Sequence, residues 1–318
     1  MTQMDLSILV CTYNRSQSLR RTLESFVRLE VEPGLRWQVV VVDNASTDDT
    51  QQTIASFAER LPLVAGREEK QGKSHALNSG FDLCEGRILL LTDDDVQADP
   101  AWLGATLRAF REQAVDAVFG RILPRWPGGV PSWYSSRLDP ALALLDLGNE
   151  PFDLKIGDDG FFGANAAILK DTVDKLGRWS VTLNRVGSGL LMGEDTEICD
   201  RILRAGRRVY YQPESVVLHC FDARRTRLNY FRRWFYAHGQ SSVLRGTQFP
   251  AEGAFFLGIP RYLYRQALEY ALASGWRWLF RAPAVAFAYE TKLWSILGAM
   301  AQHRANRKSS DGVSSSRG

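Results

Sequence analysis

The chain has 318 residues, with 39 Lys and Arg against 36 Asp and Glu for a formal charge of +3; 45% of it is hydrophobic and 24% charged. Those proportions belong to a globular protein with one full core and room for a smaller appended element. A surplus of three positive charges is too small to imply nucleic acid, and no stretch reaches the roughly 18 apolar residues of a membrane span.

Cys11, Cys84, Cys199 and Cys220 are far apart, show no C-x-x-C spacing and lie in or beside apolar stretches. They read as buried free thiols of a reducing compartment. Met1 to Asp5 enters a strand-like run with no basic-then-apolar leader, so a cytoplasmic location is expected.

In chain order, Leu6–Val10 is a short apolar run predicted as a strand. Leu19, Leu23, Phe26 and Val27 follow on one helix face. Val39–Val42 is a β-branched run suited to a strand covered on both faces, and it ends at Asp43. Ser46, with Asp49 three residues on, is expected to cap a helix whose face is Ile54, Phe57, Ala58 and Leu61. A further helix is marked by Leu77, Phe81 and Cys84, and Ile88–Leu91 is the next buried strand, running into Thr92-Asp93-Asp94-Asp95. This alternation predicts a doubly wound, mostly parallel α/β sheet. Ligands bind such sheets beyond the carboxyl ends of the strands. Three strands end there in polar residues: Thr12 to Arg15, Asp43-Asn44, and Asp93 to Asp95.

From Leu123 to Asp153 the pattern breaks into Pro, Gly and Trp and reads as an irregular, mobile loop of the kind that carries specificity. Regular structure is expected again at Ala164–Leu169, in a helix from Glu194 to Ala205, and in two strands, Val209–Tyr211 and Val216–Leu218. Beyond Arg224 the chain is helical, aromatic and basic in character, and 306–318 has the composition of a disordered tail.

The chemistry concentrates in a few positions. Adjacent Asp93, Asp94 and Asp95 at a strand end repel one another unless a cation sits among them. Asp93 and Asp95, two apart, can face one side and bind Mg²⁺ or Mn²⁺, which would bridge a diphosphate. The bland alternative is an acidic turn capping the next helix, but Asp99-Pro100 suits that role better. Glu194 and Asp195 open a helix, where acids meet the dipole; the functional reading makes Asp195 a general base. His219, after a strand, is a third candidate metal or diphosphate contact. Lys73, behind Gly72 at a helix start, suits a phosphate or an acidic donor. There is no Walker loop, no G-x-G-x-x-G after a strand and no G-x-S-x-G, which argues against dinucleotide oxidoreductases and serine hydrolases.

Taken in order, Cys11 to Arg15, Val42 to Asp48, Gly72-Lys73 with Ala76-Leu77-Asn78, Thr92 to Asp95, Gly163-Ala164-Asn165 and Gly193-Glu194-Asp195 resemble the inverting family 2 glycosyltransferases of GT-A fold. The resemblance covers about Leu6 to Gly239. It implies that Thr12, Tyr13 and Arg15 border the base and ribose, and that Asp43 hydrogen-bonds the base, commonly uracil. It puts Asp93 and Asp94 by the donor, with Asp93 near the ribose, and gives the metal to Asp95. Asp195 becomes the base of a single in-line displacement, with Glu194 shaping the acceptor pocket. Processive relatives carry a Gln-x-x-Arg-Trp motif; Tyr230-Phe231-Arg232-Arg233-Trp234 lacks the glutamine, so transfer of one sugar is expected, with Trp234 an acceptor candidate.

The expected partition is a GT-A domain over 1–222, divided at about residue 100 into a nucleotide-sugar half and an acceptor half, a basic aromatic helical extension over 223–305, and the tail. Expected partners are a nucleotide-sugar donor and a saccharide or lipid-linked acceptor. If the helices of the extension lie on a membrane, the location becomes peripheral at its inner face; packing on the core or on a second subunit is the alternative. A nucleic-acid role is not expected. Two rivals remain. A nucleotidyltransferase would need an N-terminal glycine-rich loop that Thr12 to Arg15 is not, and a silent scaffold would have no chemical reason to keep Asp93, Asp95 and Asp195.

Overall fold

The computed structural model describes residues 4–158, 160–181, 193–280 and 282–315. They form two compact units, one drawn from 4–126, 143–181 and 193–221, the other from 127–142, 222–280 and 282–315.

In the first unit β1 (Leu6–Thr12), α1 (Ser16–Phe26), β2 (Trp37–Asp43), α2 (Thr50–Ala55), β3 (Leu63–Arg67), α3 (Lys73–Leu83) and β4 (Ile88–Asp93) alternate, all but β3 as expected. Next come β5 (Val96–Ala98), α4 (Trp102–Glu112), β6 (Ala117–Pro124), β7 (Phe152–Asp153), β8 (Ala166–Leu169), α5 (Lys170–Leu176), α6 (Glu194–Arg204) and β9 (Val209–His219). Among the described residues they build a nine-stranded sheet in the order β3-β2-β1-β4-β8-β6-β9-β5, with β7 also on β9. The block from β3 to β4 is parallel, and β8 enters antiparallel to both β4 and β6. Helices cover the parallel block, which is why Val39 to Val42 and Leu89 to Leu91 are buried without the alternation of a half-wet strand.

Register fixes the functional edge. Thr12 pairs with Asp43, and Cys11 pairs with Val42 on one side and Asp93 on the other. The polar ends of three neighbouring parallel strands therefore finish at one level. On the far half, β5 runs antiparallel to β9 with Val96 opposite His219. Cys220 N–H donates to the Asp95 carbonyl at 2.7 Å, which closes this corner.

Several expectations are corrected. β3 was not expected; it is an edge strand, only half-buried, with Gly66 interrupting its apolar residues. Ser46 does not cap α2, which starts at Thr50; its Oγ accepts from Asn14 N–H, because Ala45 turns at φ 59° and aims it across to the β1 end. The two strands expected around Pro213 are one, β9, whose pairing with β6 shifts between Gly120 and Arg121. A bulge of this kind is where a strand accommodates a proline. Asn165 holds it, its Nδ2 donating to the Arg121 and Ser215 carbonyls while its Oδ1 accepts from Trp102 Nε1. The four cysteines are free, Cys84 and Cys199 buried and Cys11 and Cys220 half-buried.

The second unit comprises a short 3-10 helix (Ser136–Leu142), α7 (Leu228–Arg245), the small hairpin of β10 (Phe255–Phe256) and β11 (Ile259–Pro260), α8 (Arg261–Leu279) and α9 (Pro283–Ser315). Its core contains Ile259, Leu263, Ile296 and Ala299. α7 and α9 cross with their backbones close: a Cβ on Gly239 would meet the Ser295 carbonyl at 1.8 Å, and one on Gly298 the Tyr236 carbonyl at 1.9 Å. The stretch expected to be a loose loop is partly structured. Trp133 packs edge-on against Phe231 and Phe287, and Tyr230 Oη donates to the Ala141 carbonyl. The segment 306–315 is helical rather than disordered, because extending a packed helix costs far less than starting one; 316–318, and Arg281 of the basic aromatic stretch, lie outside the described residues. No described helix is long and apolar enough to cross a membrane.

Candidate active site

The edge of the first unit collects the charged residues singled out above. Asp95 is 3% exposed and His219 1%. His219 Nε2 lies 2.9 Å from Asp95 Oδ1, and one ligand atom each from Asp93, Asp95 and His219 fall within 4.8 Å of one another. Two carboxylates and an imidazole, largely withdrawn from water, make a donor set that a divalent cation fits.

Arg15 sits beside that cluster. Its Nη1 donates to Asp94 Oδ1 at 2.5 Å and its Nη2 to Asp95 Oδ2 at 2.9 Å. Asp94 also accepts from Thr12 Oγ at 2.7 Å. Burial pushes the Asp94 carboxyl up to about 6, opposed chiefly by the Arg15 charge. The two carboxylates, Asp94 first, in turn hold the guanidinium more firmly protonated. Arg15 thus meets the aspartates, and Thr12 joins it there.

Asp43, buried at the end of β2, accepts from Ser46 N–H at 2.9 Å, Arg67 Nη1 at 2.8 Å and Gln51 Nε2 at 3.2 Å. Tyr13 Oη accepts from Gln71 Nε2. The loops around these residues are laced together. Asn14, at φ 51°, accepts from Thr47 N–H, and Asn44 donates to the Glu68 and Lys70 carbonyls while accepting from Gly72 N–H. Asn14, Asn44, Arg67 and Gln71 escaped the sequence reading of roles. The asparagines carried a usable signal, polar residues directly after a strand and tolerant of a left-handed turn; Arg67 and Gln71 carried none.

Lys73 opens α3, and its ammonium lies among carboxylates. Its Nζ lies 3.3 Å from Asp93, 3.5 Å from Glu194 and 3.4 Å from Asp195. Glu194 and Asp195 occupy the first turn of α6. Asp195 Oδ2 accepts from Gly163 N–H at 2.9 Å, while its Oδ1 is buried and has no hydrogen-bond partner among the described residues. Gly163, within the Gly163-Ala164-Asn165 motif, leaves no free space for a side chain: a Cβ there would stand 2.6 Å from Asp195 Oδ1. Trp234 belongs to the second unit, where it is buried on α7, stacked on His238 and edge-on to Phe235.

A doubly wound sheet whose carboxyl edge joins a cation-type Asp, Asp and His set to a helix-start carboxylate has the make-up of a GT-A glycosyltransferase. The chain belongs to glycosyltransferase family 2: the profile described as "Glycosyl transferase family 2" matches residues 7–177. It is 22% identical over 252 residues to a glucosyl-dolichyl phosphate glucuronosyltransferase of Haloferax volcanii, covering 78% of this chain and 79% of the relative. It is 27% identical over 160 residues to a dodecaprenyl-phosphate galacturonate synthase of Rhizobium johnstonii, covering 48% of this chain and 47% of the relative, so that match spans about half of each. Among solved structures, a mannosyltransferase of Pyrobaculum calidifontis in complex with GDP-Man and Mn²⁺ shares the fold at a TM-score of 0.61 and 18% identity, over 96% of this chain and 88% of that one.

Proposed function

We propose that this glycosyltransferase moves a single sugar from a nucleoside diphosphate sugar to an acceptor hydroxyl, inverting the anomeric carbon. The observation that carries the reading is the state of Asp195. Gly163 and Lys73 fix its Oδ2, its Oδ1 is left as a proton acceptor, and the same lysine reaches Asp93 of the cation cluster. A carboxylate oriented in this way can take the proton of an attacking hydroxyl. Lys73 ties that base to the donor end of the site, and Glu194 beside it borders the acceptor.

Asp93, Asp95 and His219 would hold Mg²⁺ or Mn²⁺, the imidazole favouring the transition metal. Such an ion supplies charge neutralisation at the departing diphosphate. Thr12, Tyr13, Asp43 and Asp94 line the base and ribose end, and Arg15 acts there by holding Asp94 and Asp95 in place. Uracil is the expected base; because the structural relative holds GDP-Man, guanosine donors belong in the same screen. The relatives' names point to polyprenyl-linked sugars, so a lipid-linked acceptor is the acceptor class we favour.

The test is calorimetric titration with nucleoside diphosphates, with and without Mn²⁺, on wild type and on Asp95→Ala and Asp195→Asn variants. Metal-dependent binding of one nucleotide, lost in Asp95→Ala, is expected. Asp195→Asn should bind the donor normally and transfer about 10²- to 10⁴-fold more slowly. No nucleotide bound under any condition would leave a silent scaffold as the better reading, and a product of retained configuration would defeat the single displacement.

A further inference from the structure

The second unit presents a helix face that its own folding does not explain. One side of α8 is fixed inward: Leu263 is fully buried with Ile259, Ile296 and Ala299, and Ser274 Oγ donates to the Ala286 carbonyl. The other side carries Leu268, Leu272, Trp276 and Leu279 at spacings of four, four and three, a single stripe on a helix. These large apolar side chains are 61%, 66%, 63% and 73% exposed. Phe280, just beyond the helix, packs its ring 4.6 Å from that of Trp276 and is itself exposed. Single exposed leucines are ordinary on a protein surface; a continuous apolar stripe of this kind marks a place that meets something else.

Charge says what that is. Arg261 and Arg265 continue the same stripe toward the start of α8, and both are exposed. From Asp222 to the end, the chain has fifteen Lys and Arg against five Asp and Glu, although the whole protein is only +3. A tryptophan and leucine stripe with arginines along it, in a strongly cationic segment and on a helix that cannot span a bilayer, matches the interfacial helix of a peripheral protein. The apolar side chains enter the acyl boundary, and the guanidinium groups reach the phosphates.

We infer that the outer face of α8 docks the protein on the surface of an anionic phospholipid bilayer, the helix lying in the plane of the interface. An acidic protein would answer the arginines as well, but it would not call for so exposed a run of leucine and tryptophan, which only Glu269, 3.6 Å from Arg265, borders with an acid. The inference is independent of the sugar-transfer reading, because vesicle binding is measured without donor or acceptor.

The experiment is co-sedimentation of the full chain with phosphatidylglycerol–phosphatidylcholine vesicles and with pure phosphatidylcholine vesicles, over a salt series. Wild type is expected to partition onto the anionic vesicles, less as salt rises. Leu272→Glu with Trp276→Glu should lower partitioning about 100-fold, roughly tenfold for each apolar side chain withdrawn. Arg261→Glu with Arg265→Glu should remove the preference for phosphatidylglycerol. Unchanged circular dichroism and nucleotide binding of these variants keep misfolding out of the comparison. Wild type remaining in the supernatant with every vesicle would overturn the inference, as would a Leu272→Glu, Trp276→Glu variant that binds as well as wild type. A wild-type dimer in sedimentation velocity that this variant breaks would also overturn it, making the face a contact between copies.

Discussion

A methyl group on Gly163 would press on Asp195 Oδ1, the oxygen that the proposed reaction needs. Gly163→Ala must displace the Asp195 carboxylate, the α6 start or its own loop, and a misplacement near 1 Å costs on the order of 10² in rate. The expected result is a fall in kcat of that size with donor affinity, read by calorimetry, unchanged; equal activity would show that the carboxylate has room to move. Asp48 tests a different residue-scale claim. Its Oδ2 accepts from Ser16 N–H at the start of α1 and its Oδ1 from Thr50 N–H at the start of α2. Burial pushes its carboxyl up, but the Thr50 hydroxyl and the backbone N–H groups outweigh it and hold the group below its ordinary 3.8. A depressed carboxyl contributes stability that is present above 3.8 and lost as pH falls through the folded value. Asp48→Asn should therefore cost about 1 kcal/mol at neutral pH, as for a helix cap, and the gap to wild type in urea unfolding should close as the pH drops below 3.8. A gap independent of pH would assign the effect to shape rather than charge. At this scale the aspartates were legible because each follows or begins a regular element. Their partners were not: Arg15 reaches Asp94 and Asp95 across some 80 residues of chain, and no local pattern encodes such a pairing.

Among the elements, the antiparallel half of the sheet turns on the bulge between β6 and β9. Gly120 lies so close to Ser215 there that a Cβ would meet the Ser215 carbonyl at 2.1 Å, and Asn165 satisfies the carbonyls that the bulge frees. Asn165→Ala takes a partner from the buried Trp102 indole N–H and Ser215 carbonyl, at about 1–3 kcal/mol apiece, and from the part-buried Arg121 carbonyl. A loss near 3 kcal/mol is expected, with a melting temperature lower by roughly 10 °C; a loss below about 1 kcal/mol would mean that water takes over these bonds. The same bulge positions His219 opposite Val96, so the variant should also weaken metal-dependent nucleotide binding. The buried strands β1, β2 and β4 were readable from solid apolar runs, and α1, α3 and α6 from one-sided apolar spacing. β3 was not readable, since an edge strand half in water shows neither a solid run nor clean alternation. Nor was the unity of β9, since Pro213 reads as a break until the bulge that absorbs it is seen.

Over the whole molecule, chemistry and surface chemistry fall in different units. The carboxylates, Lys73, His219 and the strand ends belong to the first, while the second has its own core of Ile259, Leu263, Ile296 and Ala299 and most of the chain's excess of arginine. The pattern break around Pro124 to Trp133 was visible in the sequence. That 127–142 packs with α7 and α9 was not, because Trp133 meets Phe231 and Phe287 only once the chain has come back from far along its length. Two units with separate cores can unfold separately, and ligand linkage separates them experimentally. A ligand bound only by the native first unit stabilises it by RT ln(1 + [L]/Kd), about 2.7 kcal/mol at 100 times Kd. In hydrogen exchange, the nucleoside diphosphate with Mn²⁺ should therefore slow the amides of Leu6–Thr12 and Ile88–Asp93 by up to about 100-fold, the same quantity expressed as a rate. Amides of α7 and α8 should stay as they were, and Asp95→Ala should show no change anywhere. Equal slowing in both units would mean that they open as one cooperative body, so that binding at the sheet edge would also stabilise the helices proposed to meet the membrane.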